Sequence, residues 1–186
     1  MSILDASFYG RDTLVVAREL LGKILCRPRG NAILRGRIVE TEAYTTNDPA
    51  SHSFRGRSFH GRTKRTEAMF RKPGTAYIYL IYGMYHCLNI TTERENSGSA
   101  ILIRALEGLD GLKGTNGPGK LCRTMGIDMD CNGWDMTCEH GKIWVEWEPS
   151  ISTENIVQTT RIGIKKATDC PWRFYISGNE YVSRLK

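Results

Sequence analysis

Several features that define other protein classes are missing from this 186-residue chain. It contains no run of about 18 apolar residues, so we expect no membrane-spanning helix. Its first residues lack the basic and apolar regions of a secretory signal, which indicates an intracellular protein. No internal repeat and no shift in composition marks a domain boundary, and the chain is short for two domains. We therefore expect a single domain over residues 1–186.

Closely spaced cysteine pairs are also lacking. The six cysteines are spread along the chain and most lie in apolar segments, so without an export signal we expect reduced thiols rather than disulfides. Cys131, Cys138 and His140 could form part of a zinc site. However, six residues separate the two thiols, whereas structural zinc sites usually contain closer pairs. We therefore predict no metal site.

Acidic residues are outnumbered, since 26 Lys and Arg against 20 Asp and Glu give a net charge of +6. The excess is concentrated in residues 55–72, the basic segment, where seven basic residues accompany Glu67 as the only acid. Its glycines and its lack of apolar periodicity indicate that the first half is an exposed loop. Such a loop suits phosphate binding, but it could equally be a solvated face that aids solubility. Charge alone leaves both interpretations open.

The order of elements predicts the fold class. Asp12 can cap a first helix, for which Gly22 is a suitable end, and a short helix is predicted at 120–126. The predicted strands are 33–44, 76–82, 85–92, 100–106, 143–148 and 173–176, with an extension of the sheet at 181–182. Because the strands follow one another mainly through turns, we expect an α+β domain with an antiparallel sheet.

Two carboxylates and an aromatic ring end the strand 33–44. Alternation places Glu40, Glu42 and Tyr44 on the face that begins with Leu34 and Ile38. Carboxylates on an apolar face are partly desolvated, and desolvation raises the pKa toward the range of a general base. The competing interpretation is a solvated strand end. This strand is therefore one candidate wall of a pocket.

Two further features could belong to the same site. Tyrosines at 77, 79, 82 and 85 surround a predicted turn at Gly83, where they could stack on bases or simply pack in the sheet. Arg104 interrupts the apolar run 101–106, so it needs a carboxylate or carbonyl partner if it is buried. That partner could serve structure or catalysis.

Several motifs in colinear order resemble the alkyladenine (3-methyladenine, methylpurine) DNA glycosylase family. They cover nearly the whole chain, and together they are far more specific than any one alone. The matching stretches are LRGRIVETEAY (34–44), ASHS (50–53), KPGTAYIY (72–79), IYGMYHCLN (81–89), LIRALE (102–107), GPGKLC (117–122), RIG (161–163) and RFY (173–175). The chain departs from the family where Thr66 follows Arg65 in place of the usual asparagine, and residues 128–140 contain no family motif.

The resemblance implies one compact domain around a curved, mostly antiparallel sheet with flanking helices. It also implies a monofunctional enzyme of base excision repair that removes 3-methyladenine, 7-methylguanine or hypoxanthine from duplex DNA. Neither a metal nor an organic cofactor is implied, and no lysine is expected where a Schiff base would form. We expect a monomeric, DNA-associated protein in the cytoplasm, nucleoid or nucleus.

The resemblance also assigns roles to individual residues. Glu42 would activate the attacking water, which Arg104 and the carbonyl of Ile162 would help to hold. The base pocket would consist of Tyr44 and Tyr79, which sandwich the flipped base, together with His52 and Asn89, the latter crowding guanine. Tyr82 would fill the gap in the duplex, on the face opposite Tyr79 by strand alternation. The expected DNA-binding residues are Tyr82, Arg62, Lys64, Arg65 and Lys120.

Two other classes compete with this interpretation. A non-catalytic nucleic-acid-binding module could use the same basic segment and tyrosines, but it has no need of Glu42 beside Arg104. A metal-dependent nuclease requires clustered acidic ligands. The only dense acidic stretch, residues 128–139, is interrupted by Gly133 and Trp134.

Overall fold

An eight-stranded antiparallel sheet forms the centre of the structure, a computed structural model that describes residues 2–54, 61–138 and 141–183. The helices are α1 (Ala6–Tyr9), α2 (Thr13–Glu19) and α3 (Pro118–Met125). The strands are β1 (Ile24–Arg29), β2 (Ala32–Tyr44), β3 (Ala76–Ile81), β4 (Tyr85–Thr92), β5 (Ser99–Gly108), β6 (Trp144–Glu146), β7 (Ile156–Thr159) and β8 (Arg173–Ile176). The predicted α+β class, with a curled sheet in one compact domain, is confirmed.

The long strand β2 organises the sheet. The strand order is β3-β4-β5-β2-β1-β6, and β8 joins β2 while pairing with β7 on its other side. One edge of β2 pairs with β5 from Gly36 to Tyr44. The other edge is shared, since β1 occupies its first half and β8 pairs with Glu40–Glu42. Register shifts between Ile38 and Thr41 bend the strand where its carboxylates begin.

The helices cover the sheet, as the sequence predicts. The Asp12 carboxylate caps α2 by accepting hydrogen bonds from the backbone N–H groups of Leu14 and Val15. Val16 and Ala17 of α2 are fully buried in the main core. This helix packs on β2 and β5, whereas α3 packs on β4 and β5. Among the described residues, no helix is long and apolar enough to cross a membrane.

The C-terminal region differs from the prediction. The expected extension of the sheet at 181–182 is wrong, because these residues lie in a turn stabilised by Asn179. Beyond the turn, the backbone N–H of Ser183 donates to the Glu40 carboxylate rather than to a strand. The strand β7, of four residues, was not predicted from the sequence. It pairs with β8, and its β-branched residues Ile156, Val157 and Thr159 were the available signal.

Candidate active site

A cavity of about 780 Å³ opens where β2, the hairpin β3–β4, β5 and the start of α3 meet. Residues from six separate parts of the sequence contribute to its wall. Nine of the twelve predicted site residues line it: Tyr44, His52, Arg65, Tyr79, Tyr82, Asn89, Arg104, Lys120 and Ile162. The fold therefore brings together most of the residues that the motifs singled out.

Strand register explains the floor of this cavity. Tyr77 on β3 pairs with Asn89 on β4, Asn89 pairs with Leu102 on β5, and Leu102 pairs with Glu42 on β2. Directly paired residues on neighbouring antiparallel strands point to the same face of the sheet. This row therefore places Glu42 beneath a cavity that Tyr77, Asn89 and Leu102 line.

Glu42 is completely buried and is held by three donors. Its Oε1 accepts a hydrogen bond from the backbone N–H of Ile162 at 2.7 Å and lies 3.3 Å from Nη1 of Arg104. Its Oε2 accepts from the Tyr44 hydroxyl at 2.9 Å. Burial raises the pKa of Glu42 above its ordinary value, although Arg104, the Ile162 N–H and Tyr44 partly oppose the shift. The alternative of a solvated strand end is wrong.

Arg104 connects the two carboxylates of β2. Its Nε donates to Glu40 Oε1 at 3.0 Å, while its Nη1 faces Glu42. Burial disfavours the charged guanidinium, but Glu42 and Glu40 outweigh burial and raise the pKa of Arg104. Glu40 also accepts from Nε of Arg173 at 2.6 Å and from both the N–H and the hydroxyl of Ser183. The partners that a buried arginine requires are thus present.

A cationic stack supports the Tyr44 ring. The guanidinium carbon of Arg161 lies 4.6 Å from the ring centroid of Tyr44 and 4.9 Å from that of Trp172. The Asp48 carboxylate forms a buried ion pair with the same guanidinium, with Nη2 3.0 Å from Oδ1. Because Ile162 follows Arg161 directly, this anchor fixes both the Tyr44 ring and the N–H that contacts Glu42. This support was not predicted from the sequence.

Aromatic rings form another wall of the cavity. The imidazole of His52 meets Tyr79 edge-on with ring centroids 4.6 Å apart, and its Nδ1 lies 2.9 Å from the Tyr77 hydroxyl. Burial of the ring and the positive charge of Arg65 lower the pKa of His52, which favours neutral imidazole at pH 7. Burial also raises the pKa of Tyr77 to about 12, so its hydroxyl stays protonated. This wall is aromatic and uncharged.

Asn89 occupies a fixed position in the cavity floor. Its side-chain nitrogen donates to the backbone carbonyls of Tyr77 at 3.1 Å and Cys87 at 3.4 Å. The residue is 4% exposed. Because two backbone groups hold the amide, its orientation is set before any ligand enters.

The β3–β4 hairpin presents an exposed aromatic ring at the mouth of the cavity. Tyr82 and Gly83 have φ values of 52° and 70°, and the Met84 N–H donates to the carbonyl of Ile81, as in a type I′ turn. The Tyr82 residue is 82% exposed. Strand alternation ends at Ile81, so the prediction that alternation places Tyr82 opposite Tyr79 is wrong. Both tyrosines line the same cavity.

The predicted residues of the basic segment differ in their surroundings. Arg62 forms an exposed ion pair with Glu67 at 2.6 Å. Lys64 is exposed, and Arg65 is exposed while also lining the cavity. The first part of the basic segment, residues 55–60, lies outside the described residues. Of these cations, Arg65 is the one placed at the cavity itself.

Helix α3 brings further positive charge to the cavity mouth. Lys120 and Arg123 both line it. Gly119 permits the helix to approach the hairpin, because a Cβ at that position would lie 3.0 Å from Cβ of Tyr85. Lys120, predicted to bind DNA, therefore lies at the mouth of the cavity.

Two lysines were not identified from the sequence. Lys165 and Lys166 are exposed and line the cavity mouth directly after the matched motif 161–163, so their proximity to that motif was the available signal. Together with Lys120 they make the rim of the cavity basic. All three lie on the exposed rim, whereas Glu42 is buried below.

The proposed zinc ligands do not lie in similar environments. Cys131 is buried and Cys138 is exposed, and His140 lies outside the described residues. All six cysteines are free thiols. Within residues 2–54, 61–138 and 141–183, no group of three or more His, Cys, Asp or Glu side chains could hold a metal ion.

Comparison with known proteins identifies DNA glycosylases as the class to which this fold and cavity belong. The model of the methylpurine-DNA glycosylase family matches residues 7–180. The chain therefore belongs to the methylpurine-DNA glycosylase family, and the resemblance inferred from the motifs is confirmed.

Individual relatives are similar over their full length. A protein of Methanoculleus marisnigri is 47% identical over 97% of this chain and 98% of its own. Relatives from Clostridium botulinum and Carboxydothermus hydrogenoformans are 45% and 44% identical, each over 98% of this chain and 99% of theirs. All three carry the name "Putative 3-methyladenine DNA glycosylase".

Proposed function

We propose that residues 1–186 form a monofunctional DNA glycosylase domain that flips an alkylated or deaminated purine out of duplex DNA and hydrolyses its bond to the sugar. One observation carries this proposal: the buried carboxylate of Glu42, joined to Arg104, beneath a cavity with aromatic walls. A binding module has no use for such a carboxylate. The substrates would be 3-methyladenine, 7-methylguanine and hypoxanthine.

Base recognition would begin with extrusion of the nucleotide. A base inside a duplex is inaccessible, and flipping it costs a few kcal/mol, least for damaged or mispaired bases. The exposed ring of Tyr82 would offset part of this cost by stacking in the gap. Tyr44 and Tyr79 would stack on the flipped base beside His52, and the fixed amide of Asn89 would crowd the exocyclic amine of guanine.

Hydrolysis would use the charges below the cavity. Ionised Glu42 would take a proton from water as the water oxygen bonds to the sugar C1′ and the bond from C1′ to the base nitrogen breaks. Arg104 and the Ile162 carbonyl would help to hold that water. Positive charge that develops on the sugar would be stabilised by the nearby carboxylate. A purine alkylated at N3 or N7 is already a cationic leaving group, whereas hypoxanthine must be protonated to leave.

The remaining proposals concern cofactors, strand cleavage and the oligomeric state. The step described needs only water and the side chains of this chain, so we propose no metal and no organic cofactor. The exposed lysines at the rim, Lys120, Lys165 and Lys166, would contact phosphates and not the sugar carbon, so strand cleavage would not follow. We further propose that the protein acts as a DNA-associated monomer.

Defined substrates test this function directly. Duplexes with one 7-methylguanine or one hypoxanthine are incubated with the protein and a chelator, and released base and alkali-labile abasic sites are measured. We expect both products, with no covalent complex trapped by borohydride. Binding without base release would favour a nucleic-acid-binding module. Activity that the chelator abolishes would favour a metal-dependent nuclease, and a trapped complex would contradict the monofunctional assignment.

A further inference from the structure

The end of the described chain reaches the side of Arg104 away from Glu42. After β8 the chain turns back, and Ser183 is 7% exposed against β2. Its N–H donates to Oε2 of Glu40 at 2.7 Å, and its hydroxyl lies 2.8 Å from Oε1 of the same carboxylate. The hydroxyl oxygen also lies 3.3 Å from Nη2 of Arg104. One serine therefore contacts both partners of an ion pair.

We propose that Ser183 is a positioning residue, which holds Glu40 and the Arg104 guanidinium so that Nη1 of Arg104 faces Glu42. This inference rests on the proposed function, because it concerns the carboxylate assigned there as the base. The Ser183 hydroxyl has one proton and two lone pairs. It can therefore donate to Glu40 and accept from Arg104 at the same time.

Guanidinium geometry carries the effect to Glu42. The group is planar and rigid, with its five N–H donors in a fixed arrangement. Nε is bound to Glu40 at 3.0 Å and Nη2 to Ser183 at 3.3 Å, so these two contacts fix the plane. The remaining nitrogen, Nη1, is then left 3.3 Å from Glu42 Oε1. Ser183 thus sets the distance between Arg104 and a carboxylate that it does not itself contact.

Loss of the Ser183 hydroxyl would let the Arg104 guanidinium turn toward Glu40 and away from Glu42. Without Ser183 Oγ, Oε1 of Glu40 loses a donor and Nη2 of Arg104 loses its acceptor. A guanidinium with a free Nη2 can turn toward Glu40 and pair with it through two parallel hydrogen bonds, the preferred geometry of arginine and carboxylate. Nη1 would then move away from Glu42, and the buried carboxylate would lose its nearest positive charge.

Two of the charged and titratable groups near Glu42, Arg104 and Glu40, contact Ser183 directly. Around Glu42 these groups are Arg104 on β5, Glu40 and Tyr44 on β2, Tyr79 on β3, Cys87 on β4 and Arg161 in the loop after β7. Among them Arg104 lowers the pKa of Glu42 most, against the dominant effect of burial. Movement of Arg104 therefore raises the pKa of Glu42. The general base must be ionised, so the rate of base release falls at acidic pH. This fall, the acid limb of the pH–rate profile, therefore moves to higher pH.

Single-turnover base release by Ser183→Ala, measured across pH, tests the proposal. We expect the acid limb to lie at higher pH than in the wild type, with a rate roughly two- to tenfold lower on that limb, as expected for one lost hydrogen bond. Above the limb, the two rates should converge. Ser183→Thr keeps the hydroxyl and should restore the limb. Ser177→Ala changes an exposed serine after β8 and should match the wild type.

The position of the acid limb distinguishes a positioning role of Ser183 from a structural one. If Ser183→Ala is less stable but its acid limb is unchanged, or if its rate falls equally at every pH, Ser183 is merely structural and the inference is wrong. If Ser183→Ala fails to fold, Ser183→Cys replaces it in the test, because cysteine has a similar volume and forms weaker hydrogen bonds. An unchanged acid limb in Ser183→Cys would also contradict the inference. A wild-type protein that releases no base would refute the proposed function, which is a different result.

Discussion

Replacing Glu42 by glutamine keeps the size of the side chain and removes its ability to take a proton. The amide oxygen can accept from the Ile162 N–H that now lies 2.7 Å from Oε1, and the amide nitrogen can donate to the Tyr44 oxygen. Since burial opposes the charge on Glu42, we expect the free energy of unfolding to change by no more than about 2 kcal/mol. Base release should fall roughly 10²–10⁴-fold, about 3–5 kcal/mol of barrier.

Glu40→Gln is the matched comparison, because Glu40 lies two residues away on the same strand and is equally buried. Both carboxylate oxygens of Glu40 accept hydrogen bonds, and the donors include Nε of Arg104 and Nε of Arg173. An amide nitrogen would face one of these donors. Arg173 would lose its counter-charge, and Arg104 would keep that of Glu42 alone. We expect destabilisation of about 3–5 kcal/mol, as for a broken buried ion pair.

Thermal unfolding and single-turnover base release on the same preparations separate the two effects. Glu42→Gln should lose turnover while remaining folded, whereas Glu40→Gln should lose stability, with a melting temperature roughly 6–20 °C lower. If the two variants lose turnover equally, or if folded Glu42→Gln releases base at the wild-type rate, Glu42 is not the general base.

Three further predictions follow from the cavity and its rim. Tyr82→Ala should weaken binding to abasic duplexes by roughly 1–3 kcal/mol and binding to single strands less, and equal losses would assign Tyr82 to packing. Lys64→Ala should lower the slope of log binding constant against log salt by about one unit, while Arg62→Ala lowers it less because Glu67 already pairs with Arg62; an unchanged slope for Lys64 would place it away from DNA. Wild-type base release should decline as the pH falls through the raised pKa of Glu42, so an acid limb at or below 4.5, the ordinary glutamate value, would contradict that assignment.

The parts of the fold predicted correctly are those with strong local signals. The strand predicted at 33–44 forms as Ala32–Tyr44, and Asp12 caps α2 as expected. By contrast, β7 pairs with β8, and after the turn at 181–182 Ser183 contacts Glu40. These contacts join residues far apart in sequence, so local pattern contains no record of them.

The site was predictable to a similar extent. Alternation grouped Glu40 and Glu42 correctly, since they pair with β8 without a shift. It was wrong to place them on the face of Ile38, because the register shifts after Ile38, which lies with Ala43 in the main core. Alternation also could not separate the two carboxylates. Only the tertiary structure distinguishes Glu40, bound by Ser183, from Glu42, which lies beneath the cavity floor. The stacking of Arg161 on Tyr44 could not be predicted from the sequence either, because only folding brings this loop residue and this strand residue together.

The position of β2 separates the rigid from the adaptable parts of the molecule. Around Glu40–Glu42 this strand pairs with β5 on one edge and β8 on the other, so its amides can exchange with solvent only when the whole sheet opens. The hairpin that carries Tyr82 begins with β3, a strand at the end of the sheet order. That hairpin can therefore bend to follow the distortion of a duplex while the carboxylate keeps its place. The edge of the sheet would then adapt to lesions of different shape. Its centre would keep the catalytic carboxylate in a constant position.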